Sequence, residues 1–235
     1  MTGLTRQPGE LVVAAAFPDP PFEVEREGRN AGFDVAMVQA IGTELGLAVR
    51  FVHYLGDDFN GIFDGLADGR YDAVASGTTI TPERQQVAIF SDSYLTFDQG
   101  LIVNRTRTPS VRSTADLRGF TIGIQRGNTS DIVAQALRTQ GVIAQIAYYP
   151  YHGIGDALDD LTAGRIGAVI KLYPVATALV KERPDLAVVA QIPTHEHLGI
   201  AFARTNVALR DAVNTALDSL KQRGVLDTLR RTWID

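Results

Sequence analysis

The stretch Ser76-Gly77-Thr78-Thr79-Ile80-Thr81-Pro82-Glu83-Arg84 has the residue types needed to hold a small carboxylate. Thr81 is of the kind that caps a helix start. Pro82 fits the first helical position, where its fixed φ suits the helix and its missing N–H would have no partner anyway. Backbone N–H groups at such a start attract anions. Arg84, on that first turn, presents a planar fork that matches a carboxylate. Gly77 lets a ligand approach the backbone closely. Thr79 adds a hydroxyl, and its neighbour Thr78 is counted with it among the candidate ligand-binding residues. The plainer alternative is an ordinary capped helix with a solvated arginine, and the surrounding elements decide between the two.

Those elements alternate. Leu11–Ala16 is a continuous apolar run, as expected of a strand buried on both faces. Phe17-Pro18-Asp19-Pro20-Pro21-Phe22 then makes a stiff loop at the strand's C-terminal end, where ligands sit in open α/β sheets. Val35, Val38, Ile41 and Leu45 repeat at helical spacing, with Asp34 as the expected cap and Gly46 as the stop. Leu47–Tyr54 reads as a strand, Phe59–Leu66 as a helix stopped near Gly69, and Tyr71–Ala75 as the strand that feeds the Ser76–Arg84 stretch. This order predicts parallel strands with right-handed crossovers. After strand Leu101–Val103 and a basic segment, Asn104–Ser113, the alternation begins again: strand Phe120–Gln125, loop Arg126–Ser130, helix Asp131–Thr139, strand Val142–Tyr148, a helix ending at Gly164, strand Ile166–Ile170, helix Val175–Lys181 and strand Leu186–Ala190.

An internal echo supports two related halves. Leu66-Ala67-Asp68-Gly69-Arg70-Tyr71-Asp72-Ala73-Val74 and Leu161-Thr162-Ala163-Gly164-Arg165-Ile166-Gly167-Ala168-Val169 share leucine, glycine, arginine, alanine and valine at the same offsets. The last segment, a short strand at Gly199–Phe202 and two amphipathic helices through Leu209–Leu220 and Val225–Trp233, returns to the first half. The expected organisation is one discontinuous lobe, residues 1–101 and 199–235, and a second lobe, residues 102–198. Two chain crossings would form a hinge, with a ligand cleft between the lobes.

Composition narrows the function. A chain of 235 residues with 45% hydrophobic and 21% charged residues has ample material for a core. A net charge of −5 argues against nucleic acid or anionic lipid as a main partner. Cysteine is absent, which excludes disulfides and thiol chemistry. No apolar run approaches a membrane span. The start, Met1-Thr2-Gly3-Leu4, lacks the basic and apolar regions of an export signal. Nothing in the pattern suggests a large exposed apolar face, so a monomer is expected.

The whole pattern resembles the family 3 extracellular solute-binding proteins, the amino-acid-binding components of bacterial ABC importers. The resemblance runs through Pro21-Phe22-Glu23-Val24, Gly32-Phe33-Asp34-Val35, Asp58-Phe59-Asn60-Gly61-Ile62, Gly69-Arg70-Tyr71-Asp72, Gly77–Arg84, Phe90-Ser91-Asp92-Ser93-Tyr94, Ala115–Gly119 and Gly199-Ile200-Ala201. It implies the type II periplasmic binding fold, an extracytoplasmic location with the export segment outside this sequence, permease subunits as partners, no cofactor and no catalysis. It also implies roles. Arg84 matches the clamp for the ligand α-carboxylate, Thr79 a second contact through N–H and hydroxyl, and Gly77 the carbonyl that receives the α-ammonium. Phe59 matches the aromatic stacked on the ligand side chain, and Asp19 lies on a pocket loop. Gln125, Gly127, Asn128 and Thr129 match the loop of the second lobe that closes over the carboxylate end.

One position departs from the family. The strand after the second Gly-Arg usually continues Ala-Val-x-x-Asp-x-Pro, and that aspartate pairs with the ligand ammonium. Here the run is Ala168-Val169-Ile170-Lys171-Leu172-Tyr173-Pro174, with Leu172 in its place. A buried ammonium without a counter-charge is costly. Three readings stay open: another carboxylate such as Asp19 or Asp98 substitutes, the ligand lacks the amine, or Lys171 meets a second acidic group on the ligand. Rival functions are a sensor module of a larger receptor and a dehydratase acting on cyclic carboxylates such as arogenate or prephenate. His195-Glu196-His197 invites a metal, but a polar hinge strand is the expected reading because no third ligand is evident. Tyr148–His152 is expected to connect a strand to a helix, with cleft lining as the alternative. Gly123–Gly127 lacks the Gly-Lys-Ser/Thr ending of a phosphate loop.

Overall fold

In the computed structural model, which describes residues 3–235, strand β1 (Glu10–Ala15) lies between two parallel neighbours. That placement is why its residues are apolar without alternation: both faces of the strand are covered. Met1 and Thr2, part of the start read above for an export signal, lie outside the described residues.

A short hairpin follows, β2 (Val24–Arg26) and β3 (Arg29–Ala31), and leads into α1 (Phe33–Leu45). Gly46 ends α1 in the left-handed conformation, as its position after the last apolar repeat predicts. Then come β4 (Ala48–His53), a 3-10 turn at Phe59–Phe63, α2 (Asp64–Ala67), β5 (Ala73–Val74), α3 (Pro82–Gln85) and β6 (Ala88–Phe90). Strand β7 (Leu95–Asn104) begins the second half, which continues as β8 (Thr121–Gln125), α4 (Ser130–Thr139), β9 (Gln145–Tyr149), α5 (Ile154–Ala163), β10 (Ala168–Leu172), α6 (Tyr173–Val180) and β11 (Leu186–Leu198). The chain closes with β12 (Ala201–Ala203), α7 (Val207–Gln222) and α8 (Val225–Trp233).

Two compact units result. Unit 1 holds the residues up to Leu55, Asn60–Thr96 and Glu196–Asp235, and unit 2 holds Gly56–Phe59 and Phe97–His195. The sheet of unit 1 has the order β4-β1-β5-β12-β6, with β12 antiparallel to β5 and β6. Its interior is filled by Phe22, Phe33, Met37, Ile41, Leu66 and Phe202, and α7 and α8 pack on α1. The sheet centred on unit 2 has the order β11-β7-β10-β8-β9, with β7 antiparallel to β10. Alternate residues of β10 serve opposite faces. Ala168 and Ile170 join a cluster with Ala134 and Leu137 of α4, whereas Val169 joins Leu158 and Leu161 of α5.

The units change over at 96/97 and 195/196, not at 101/102 and 198/199 as the strand pattern suggests. Local hydrogen bonds explain the difference. The Asp98 carboxylate accepts from the backbone N–H groups of Thr194 (3.0 Å) and His195 (2.9 Å), which ties residues 97–101 into unit 2. Ile80 N–H donates to His197 O (2.8 Å) and Gly199 N–H to Thr78 O (3.0 Å), which ties residues 197–199 into unit 1. Residues 56–59 join unit 2 because Phe59 N–H donates to Arg126 O and Tyr151 N–H to Asp57 O. Two further expectations are corrected, and the strand read at Leu186–Ala190 runs on through the segment expected as a polar hinge strand. Asp34 is not a cap: α1 starts after Gly32 and the Asp34 side chain bonds elsewhere. The helix read at Phe59–Leu66 breaks into a 3-10 turn and a single α-turn. The polar run Gln191–His197 is part of one long strand, its residues alternating between half-buried and exposed up to Glu196.

The internal echo is a repeated three-dimensional device. Gly69 (φ 74°) and Gly164 (φ 77°) both turn the chain out of a helix into a strand. Arg70 N–H donates back to Gly65 O (2.9 Å) and Arg165 N–H to Asp160 O (2.8 Å), the same five-residue closure in each unit. A distant guanidinium then meets the last helical turn: Arg6 Nη2 donates to Leu66 O (3.4 Å) and Arg107 Nε to Thr162 O (2.7 Å). A Cβ on either glycine would press on that arginine. Gly69→Ala and Gly164→Ala are therefore each expected to lower stability by about 1–2 kcal/mol, the cost of a left-handed L-residue. Urea unfolding reads this directly, and an unchanged midpoint in both variants would contradict it.

Candidate functional site

In unit 1, β5 ends at Val74 and the chain passes through Ser76–Thr79 into α3, where local chemistry holds the first turn as its sequence predicts. Thr81 has extended backbone, its hydroxyl accepts from Arg84 N–H (3.2 Å), and Pro82 occupies the first helical position. Arg84 is only 6% exposed. Its Nη1 donates to Thr79 O (2.8 Å), its Nε to Asn60 Oδ1 (3.2 Å), and its Cζ lies 5.5 Å from the centroid of the Phe63 ring. These acceptors and the ring orient the fork. Thr79 in turn donates from Oγ1 to Glu196 Oε2 (2.6 Å), and the Thr79–Leu198 bridge pins the loop to the strand beside it. The Thr78 hydroxyl is fully buried and has no hydrogen-bond partner among the described residues.

Gly77 is held from below. Its N–H donates to Asp34 Oδ2 (2.7 Å), which also accepts from Tyr94 OH (2.9 Å). Gly77 has φ 52°, and a Cβ there would sit 2.9 Å from the Phe22 ring, so the position requires glycine. Ser76 hydrogen-bonds Glu23 Oε1 and accepts from Ala16 N–H (3.0 Å). Asp19, buried in the turn before Glu23, exchanges backbone hydrogen bonds with it. Burial pushes the Asp34 carboxyl up to about 7; the Asp19 charge adds to this, and the bonds from Gly77 and Tyr94 oppose it. Tyr94 is pushed well above the ordinary range, first by burial and then by the Asp34 charge.

Unit 2 gathers a second group. Gln125, at the end of β8, donates to Tyr151 O and accepts from Asn128 Nδ2 (3.0 Å). Gly127 turns the loop with φ 78°, and Thr129 Oγ1 accepts from Gln99 Nε2 (3.2 Å) while Ser130 donates to Gln99 Oε1 (2.9 Å). Phe59 packs on Tyr151, with ring centroids 5.1 Å apart, and Lys171 Nζ lies 5.3 Å from the centroid of the same Tyr151 ring. Leu172 follows on β10, opposite Gln99 of β7.

The residues expected from sequence thus fall into two sets. Asp19, Gly77, Thr78, Thr79 and Arg84 lie in unit 1; Phe59, Gln125, Gly127, Asn128, Thr129, Lys171 and Leu172 lie in unit 2. Several neighbours were given no part in positioning the ligand contacts in the sequence reading: Asn60 and Phe63 on Arg84, Glu196 on Thr79, Gln99 on Thr129 and Asp34 on Gly77. Asn60 stands within a motif quoted for the resemblance and was the most accessible of these; Gln99 becomes visible only through strand register. His195 lies 3.5 Å from Asp98, and His197 Nδ1 hydrogen-bonds Thr96 Oγ1 (2.9 Å). Among the described residues there is no group of three His, Cys, Asp or Glu side chains able to hold a metal ion, and no helix is long and apolar enough to cross a membrane.

Comparison with known proteins fits this geometry. A family model described as bacterial extracellular solute-binding proteins, family 3, matches residues 11–235. The arginine-binding extracellular protein ArtP of Bacillus subtilis (strain 168) is 29% identical over 227 residues, covering 95% of this chain and 86% of that protein. An ancestral arginine-binding protein bound to arginine superposes with a TM-score of 0.87 at 32% identity, over 97% of this chain and 99% of the other. The ancestral amino acid-binding protein AncCDT-1, a precursor of cyclohexadienyl dehydratase, superposes with a TM-score of 0.86 at 31% identity, over 97% of this chain and 96% of the other.

The buried Asp34 generates a pH effect of definite sign. Its folded-state value of about 7 lies above the ordinary 3.8, so between these the folded state holds a proton that the unfolded chain has lost. Stability from this group is therefore greatest at low pH and declines as pH rises toward 7. Asp34→Asn keeps an acceptor for Gly77 N–H and removes the titration. The melting temperature of Asp34→Asn minus that of the wild type should be more positive at pH 8 than at pH 5; a difference independent of pH contradicts the assignment.

Proposed function

We propose, for a chain that belongs to the bacterial extracellular solute-binding proteins of family 3 and has their two-lobed type II fold, that it captures an amino acid or a close carboxylate relative for delivery to an ABC importer. The observation that carries this reading is the buried Arg84 guanidinium, oriented by Thr79 O and Asn60 Oδ1 at the end of a glycine-opened loop. A guanidinium held in that position favours an anion, and the planar fork favours a carboxylate. Thr78, Thr79 and Gly77 offer hydroxyl, N–H and carbonyl groups on the same loop. The buried Thr78 hydroxyl is an additional candidate contact. Within unit 2, the candidate ligand contacts are Gln125, Gly127, Asn128 and Thr129 on one loop, with Phe59, Lys171 and Leu172 close to them in that unit.

The names of the similar proteins support the ligand class: arginine for two of them, amino acids for the third. They also support a binding role without turnover, since the precursor of a dehydratase among them is named as an amino acid-binding protein. We place the protein outside the cytoplasmic membrane, working with the permease subunits of an importer.

Calorimetric titration with an amino-acid panel tests the anchor. An arginine–carboxylate contact contributes about 1.5–3 kcal/mol net, so Arg84→Ala is expected to weaken the best ligand by about tenfold to a hundredfold. Equal affinity in wild type and variant would overturn the assignment of Arg84. Prephenate incubated with the protein should show no turnover by absorbance; turnover would overturn the non-catalytic reading.

A further inference from the structure

The basic segment between the two echoing halves takes no part in the site described above. Residues 104–119 carry four arginines, Arg105, Arg107, Arg112 and Arg118, against one acid, Asp116, in a chain of net charge −5. One buried side chain fixes this segment. Asn104, 2% exposed, accepts on Oδ1 from Thr106 N–H (3.0 Å) and Arg107 N–H (3.1 Å), and its Nδ2 donates to Asp185 Oδ2 (3.3 Å). Thr108 N–H donates to Asn104 O (3.0 Å) and Val111 N–H to Thr108 O (3.1 Å), and Val111 is buried in the core of unit 2. Arg105 N–H donates to Asp185 O (2.8 Å), which pins the segment beside the start of β11, the edge strand of the sheet.

The segment and that strand enclose a cavity of about 450 Å³. Val103, Val111, Val188 and Val189 give it an apolar floor, and Arg105 and Arg112 stand on its wall. Both arginines are exposed, and among the described residues neither guanidinium makes a hydrogen bond or an ion pair. No acid among the described residues lines the cavity. Asp116 serves its own turn, where Oδ2 accepts from Arg112 N–H (3.0 Å) and Ser113 N–H (2.9 Å). Asp185 Oδ2 is taken by Asn104 and by the Thr162 hydroxyl. A neighbouring cavity of about 340 Å³ also has two arginines, but there Arg107 donates to Thr162 O and Arg165 is paired with Asp160. Only in the first cavity do two guanidiniums face the space with their donors unused.

Two like charges on one wall repel, and an anion set against both relieves that repulsion. The planar guanidinium fork matches a carboxylate, sulfonate or phosphate. An apolar group laid on the valines removes their surface from water, and the volume is that of a small-molecule site. We propose that this cavity binds a small soluble organic anion with an apolar body, its acidic head met by Arg105 and Arg112 and its body resting on the valine floor. The site lies wholly within unit 2 and is independent of Arg84.

Fluorescence titration of the full chain with anilinonaphthalene sulfonate tests this. The wild type is expected to bind the dye at this site. Octanoate should displace it, and octanol, an apolar chain of the same length without the charge, should not. The double variant Arg105→Ala/Arg112→Ala, shown to be folded by a cooperative melt, is expected to bind the dye about fivefold or more weakly, the loss of two exposed ion pairs. Arg118→Ala/Arg138→Ala removes the same charge outside the cavity and should stay within about twofold of the wild type. Arg84→Ala should leave dye binding unchanged, which separates this site from the carboxylate anchor. No dye binding, equal affinity in the two double variants, displacement by octanol as effective as by octanoate, or loss of dye binding in Arg84→Ala overturns the proposal. Vesicles of phosphatidylglycerol should not sediment the protein; sedimentation that disappears in Arg105→Ala/Arg112→Ala would assign the pair to a bilayer surface and overturn the soluble ligand.

Discussion

Burying a guanidinium costs several kcal/mol unless its geometry and partners compensate, and Arg84 is 6% exposed. Much of unit 1 near the site can be read as the apparatus that makes this tolerable. The Thr81 cap and Pro82 fix the turn on which Arg84 stands. Thr79 O and Asn60 Oδ1 engage two of its donors, and the Phe63 ring lies under the charge. Thr79 is itself held by Glu196 through its hydroxyl and by Leu198 through the backbone. An arginine so constrained has lost its rotamer freedom before any ligand arrives, which lowers the entropic cost of binding.

The loop that precedes Arg84 depends on a second buried charge. Asp34 takes the Gly77 N–H and the Tyr94 hydroxyl on one oxygen, and Glu23 engages the neighbouring Ser76. Two buried acids therefore grip two successive residues of the candidate binding loop. Unit 2 follows a different plan: amides and hydroxyls are linked among Gln99, Gln125, Asn128, Thr129 and Ser130, and Lys171 stands over the Tyr151 ring, on which Phe59 packs.

What could be read from sequence was what local chemistry determines. Thr81, Pro82 and Arg84 were legible because a cap, a first-turn proline and the residue two positions on interact within one turn. Gly69 and Gly164 were legible because helix stops need a left-handed residue and the two stops echo each other. Asp34 was misread as a cap because its true partner, Gly77, is 43 residues away. The changeover between units was displaced for the same reason: Asp98 is bound to Thr194 and His195, almost a hundred residues on, and no periodicity records that. Gln99 and Glu196 escaped because each owes its place to strand pairing, not to a motif.

In a crystal structure with the tightest-binding amino acid bound, the ligand carboxylate is expected on Arg84 in a two-bond contact of about 2.7–2.9 Å, with Thr79 alongside. A carboxylate seated on any other cation, with Arg84 making no contact to the ligand, would contradict it.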